Sequence, residues 1–138
     1  MIRHPNWRFA EDVLARMSIE LTTFDVDQIT ELSADDWTEF QVDDRDPKVV
    51  TQDLLAYCAP VVSGMLVIVT FLSFRVDVGP FFVGAERLGE FSLTYPEVYD
   101  DAFVAGDLFV LSPATGALVV VHHNGLVATI RGKGPQPS

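Results

Sequence analysis

Apolar residues recur every three or four positions near the start of the chain. Trp7, Ala10, Val13, Leu14 and Met17 fall on one side and Arg8, Glu11, Asp12 and Arg16 on the other, a spacing that predicts an amphipathic helix. Over residues 19–29 the alternation is broken by Thr22-Thr23, which leaves an irregular segment or a short strand. Ser33, followed by Asp36 three residues on, imitates a capping box and predicts a short helical turn that carries Trp37 and Phe40 inward. Pro47 suits a first helical position, and the acids before it stand where the helix dipole favours them. Val49, Val50, Leu54, Ala56, Tyr57 and Cys58 then mark a second helix, closed by Pro60.

After Ser63-Gly64 the period changes. Residues 65–74 (MLVIVTFLSF) are apolar on both faces. They predict a central strand, in a sheet covered on both sides or covered by helices on one side and by a partner on the other. Residues 75–83 predict a second strand interrupted at Gly79-Pro80, because proline has no N–H for the ladder. Residues 85–89 (AERLG) look like one helical turn ended by glycine. Residues 94–103, polar and aromatic together, read as a loop, since Pro96 forbids a central strand. From Asp107 onward three strands alternate with turns at SPATG and Asn124-Gly125, the pattern of an antiparallel meander. Helices first and strands afterwards predict an α+β fold: N-terminal helices packed on one face of a mostly antiparallel sheet that ends in a three-stranded meander. The expected organisation is a single domain over residues 1–131 with a disordered tail at 132–138.

Composition supports a buried core, since 49% of the 138 residues are hydrophobic and ten are Phe, a content that disordered chains lack. The net charge of −11 is unevenly spread. Between Glu11 and Asp53 there are 13 acidic residues against three basic ones, whereas residues 54–138 carry a net of only −3. Such a field repels nucleic acid and anionic lipid and attracts basic surfaces. The nine Lys and Arg are scattered singly, without the clustering that nucleic-acid binding needs. The ten-residue apolar run is about half of the roughly 20 residues a membrane-spanning helix requires. No uninterrupted apolar stretch precedes a small-residue cleavage site at the N-terminus, so the expected location is the cytoplasm, with no membrane partner. The lone Cys58, on the apolar side of the second helix, reads as a core residue.

Catalytic signatures are absent from the sequence. His122 and His123, adjacent on a strand, point to opposite faces and cannot share a metal, so they read as a strand end. The pairs Asp35-Asp36, Asp43-Asp44 and Asp100-Asp101 lack calcium-loop spacing, GAERLG lacks the P-loop ending, and no G-x-S-x-G elbow occurs. Neither a metal nor a cofactor is expected, and the protein is expected not to be an enzyme. Binding remains. Charge sets encounter rate and specificity while aromatic anchors supply affinity, which singles out two groups of mixed acids and aromatics. One is Asp35, Asp36, Trp37, Glu39, Asp43 and Asp44, and the other is Tyr95, Glu97, Tyr99, Asp100 and Asp101.

Residues 106–130, and within them Gly106, Asp107, Pro113, Thr115, Gly116, His122 and Gly125, resemble the strand-turn-strand signature of the SUKH superfamily of bacterial immunity proteins. The resemblance implies an α+β domain that binds a cognate protein toxin domain and neutralises it. Joined to the acidic field, it suggests occlusion of a basic active-site cleft. A second expectation from the residues alone is a homodimeric structural or chaperone-like domain, in which the doubly apolar strands 65–74 and 117–121 meet a second copy.

Overall fold

Apolar side chains at every position of residues 108–111 and 117–121 require cover on both faces of a sheet, and the computed structural model provides it. It describes residues 5–17, 37–40, 45–75, 77–122 and 125–131. The irregular segment expected at 19–29, the capping-box turn at 33–36, His123, Asn124 and the tail at 132–138 lie outside the described residues.

In chain order the described elements are α1 (Asn6–Arg16), β1 (Thr38–Glu39), α2 (Pro47–Cys58), β2 (Met65–Val69), β3 (Phe81–Gly84), α3 (Leu88–Tyr99), β4 (Leu108–Ser112), β5 (Ala117–His122) and β6 (Leu126–Arg131). The strands form one sheet in the order β1-β6-β5-β4-β2-β3, every neighbouring pair antiparallel. The fold is α+β, with the three-stranded meander at its C-terminal end, where Val119 pairs with Val110 on β4 and with Thr129 on β6. Its turns use glycine where the backbone enters the left-handed region, at Gly116 (φ 71°) and Gly125 (φ 84°).

Strand alternation divides the core in two. Val67, Val69, Phe109, Leu111, Leu118 and Val120 face α1, which inserts Trp7, Ala10 and Leu14, with Met17 just past its end. Leu66, Ile68, Leu108, Val110, Val119 and Val121 face the other way, against Val50, Leu54 and Cys58 of α2 and Leu88 and Tyr95 of α3. Helices therefore cover both faces, not one. Residues 66–69 and 117–121 are thus buried within the chain itself, while Met65, Phe71 and Phe74 of the same apolar stretch stay exposed.

Local chemistry explains the other departures. β2 stops at Val69 because Thr70 and Ser73 turn the chain: the Ser73 hydroxyl accepts from the Thr70 N–H at 2.9 Å and opens a 3-10 turn over Phe71–Phe74. Residues 85–89 are not an isolated turn. A 3-10 turn at Ala85–Arg87 runs directly into α3, and Gly89 lies inside that helix. Residues 94–99 are likewise helix rather than loop, with Pro96 in its interior. Proline there removes a backbone hydrogen bond, a loss of about 3 kcal/mol in an ordinary helix. The inward stripe Leu88, Phe91, Ser92, Tyr95 and Tyr99 offsets it by packing against β3 and the core. At 37–40 the chain is extended rather than helical. Trp37 and Phe40, three residues apart on a strand, enter opposite cores.

Candidate partner-binding surface

α3 presents the second acid–aromatic group. Its inward positions bring Tyr95 into the core at 1% exposure, ringed by Tyr99 at 4.7 Å, Phe103 at 5.5 Å and Phe81 and Phe91 at 5.9 Å between ring centroids. Its hydroxyl lies 2.8 Å from Thr70 Oγ1. Burial raises the Tyr95 pKa above its ordinary value, Asp101 and Tyr99 add to the rise, and the Thr70 hydrogen bond opposes it. Tyr95 is thus a core residue, and as a surface contact it is corrected. The helical period hid it: expected in a loop, its ring had no assigned direction.

The rest of the group reaches the surface. Glu97 and Asp100 are exposed, and Tyr99 and Asp101 are half-buried. Tyr99 rests its ring on Tyr95 and Phe81. Asp100 ends the helix in the left-handed conformation (φ 54°, ψ 39°), the one non-glycine positive φ among the described residues, and its N–H donates to Pro96 O at 3.0 Å. Asp tolerates this region better than most residues. Asp101 Oδ1 accepts from the Ala102 N–H at 3.0 Å. No described cation forms an ion pair with these three carboxylates, and the last turn of α3 holds no basic residue. Val98, 68% exposed between them, belongs to the same surface, and a helical reading of residues 94–99 would have found it.

The first group is only partly described. Asp35, Asp36, Asp43 and Asp44 lie outside the described residues. Glu39 is exposed on β1, at the sheet edge opposite β3. Trp37 is half-buried on the α1 face, its ring edge-on to that of His122 at 6.1 Å and 87°. Since Tyr99 packs on the other face, Trp37 and Tyr99 lie on opposite sides of the sheet.

Other polar residues hold the fold. His122 is buried at the end of β5. Asp46 caps α2, accepting from the Lys48 N–H at 2.9 Å, and Asp53 pairs with Arg45 across that helix. In the first meander turn Thr115 Oγ1 donates to Val61 O at 2.7 Å and pins the α2–β2 connection. Cys58 is buried, and desolvation pushes its thiol pKa up to about 12, so it is a poor nucleophile. Among the described residues no three His, Cys, Asp or Glu gather as a metal site, and no helix is long and apolar enough to cross a membrane. Comparison with protein-family models, curated proteins and solved structures finds no match to this chain.

Proposed function

We propose that the protein is an acidic inhibitor of the immunity type, which neutralises a toxin domain by seating the C-terminal end of α3 in that domain's basic cleft. One observation carries the reading. Glu97, Asp100 and Asp101 concentrate negative charge at a helix C-terminus, where the unsatisfied carbonyls are already negative and a cation is the stabilising occupant. The free protein bears that repulsion without a cation of its own in the last turn, and a Lys- or Arg-lined cleft would relieve it. Val98 and the exposed edge of Tyr99 supply apolar contact beside the charges. The net charge of −11 and the resemblance of residues 106–130 to immunity proteins support the same reading. The role is blockade, with the sheet as scaffold.

The test takes as its probe the C-terminal domain of any toxin that a neighbouring reading frame encodes. A 1:1 complex is expected by calorimetry, and Glu97→Lys/Asp100→Lys/Asp101→Lys should weaken it by about 1.5 kcal/mol or more, at least tenfold, if close charge pairs form. Reversing Asp43 and Asp44 addresses the first group in the same assay. Full affinity in the triple variant would remove the α3 end from the interface.

A further inference from the structure

The opposite kind of surface lies along β3. This strand is the last of the sheet, and no described strand pairs with its outer edge. Natural edges are protected by Lys, inward charges, proline or a covering element. β3 reads Phe81-Phe82-Val83-Gly84, with no charge and with Pro80 only at its entrance. Large apolar side chains gather on its α1 side. Phe82 (39% exposed) pairs with Val67 and so points to that side, where Phe9 (57%) meets it edge-on at 6.5 Å. Met65 (60%) projects from the same face of β2 at one end, and Phe74 (54%) lies against Trp7, 5.0 Å between centroids, on the same side. Together these four side chains leave roughly 400 Å² of apolar surface uncovered, taking about 200 Å² for each whole side chain.

We infer that β3 pairs antiparallel with β3 of a second copy, joining two sheets into one, with Phe9, Phe82, Met65 and Phe74 closing over the junction. An open ladder edge selects a strand as its occupant, and three features select this chain's own. Antiparallel pairing about a two-fold axis uses one patch twice. The charges flanking the strand are balanced at each end, Arg75 with Asp77 before it and Glu86 with Arg87 after it, so the ends of the strand itself bring no like charges together. Copies of a chain of net −11 repel one another, and a strand with no charge of its own adds nothing to that repulsion. The apolar area doubles to roughly 800 Å², and the shared ladder and its rim bring the junction towards the 1,200–2,000 Å² typical of specific interfaces. Tyr99 packs on Phe81 at the start of β3, which puts the acidic end of α3 beside the junction on its other face, but the dimer rests on the strand edge and the four apolar side chains and not on the inhibitor reading.

Sedimentation velocity of the full chain from low to high micromolar concentration tests it. A species of twice the 15.3 kDa chain mass is expected, insensitive to salt. Phe82→Lys and, separately, Phe9→Lys should each weaken dimerisation on the order of tenfold or more. Phe9→Lys leaves the ladder untouched, so it reports even where Phe82→Lys fails to fold. Hydrogen exchange at residues 81–84 should slow as the dimer forms. A monomer throughout, a dimer indifferent to Phe9→Lys, or a monomer that uses β3 only to bind the toxin domain would each overturn the inference.

Discussion

Thr70 and Tyr95 show how single residues decide this fold. The Tyr95 hydroxyl is buried and meets Thr70 Oγ1 at 2.8 Å, so Thr70→Val strands a polar group in the core, a loss of about 1–3 kcal/mol. Adding Tyr95→Phe removes the orphan and should return part of that stability, which a double-mutant cycle by urea unfolding would measure. Cys58 and Tyr95 also set the alkaline limit. Each is held neutral by burial, with a folded-state pKa above its unfolded value, 9.0 rising to about 12 for Cys58 and upward from 10.0 for Tyr95. As pH rises past 9 the unfolded chain loses protons first. The stability Cys58 contributes is therefore complete below pH 9 and falls between 9 and 12, by at most about 1.4 kcal/mol per pH unit, and Tyr95 adds a decline of the same sign that begins as pH rises past 10. Cys58→Ala should flatten the first part of that decline in pH-dependent unfolding. An unchanged slope would show that the thiol is not held neutral by the fold.

At the scale of elements, α3 is where sequence pattern and structure part. The meander was legible because Asn124-Gly125 and Pro113 to Gly116 demand turns, and apolar runs between them demand strands. α1 and α2 were legible from spacing and from Pro47. α3 was not, because Gly89 and Pro96 both imitate helix ends while Phe91, Tyr95 and Tyr99 keep the helical period. Tertiary packing of those rings outweighs the local breakers. A loop reading of this element also hides the candidate site: in the sequence Glu97, Asp100 and Asp101 are acids beside aromatics, and only the helix makes them acids at a C-terminus. Asp100→Gly relieves both the left-handed backbone and the misplaced charge, so it should raise stability by about 1 kcal/mol. Asp100→Ala should gain less, because it keeps the strained φ. Thermal unfolding of the two variants distinguishes them. In the inhibitor reading, Asp100→Gly also weakens the partner complex, a stabilising change that harms binding.

Among the described residues the sheet is covered by helices on both faces, and two surfaces of opposite character stand out: an acidic helix end and an apolar strand edge. The second helical layer was not legible, since an uninterrupted apolar strand demands cover without saying whether a helix of the same chain or a partner provides it. Charge acts at this scale through the rate of encounter. A net charge of −11 steers a basic partner, and that advantage is screened within about 8–10 Å at physiological salt. The most direct measurement is the association rate constant with the toxin domain as a function of ionic strength, for the wild-type chain and the Glu97→Lys/Asp100→Lys/Asp101→Lys variant. The expected result is a steep fall with salt for the wild type, a slower and flatter rate for the variant, and convergence at high salt. Equal rates for the two proteins, unaffected by salt, would contradict an acidic α3 end that docks in a basic cleft.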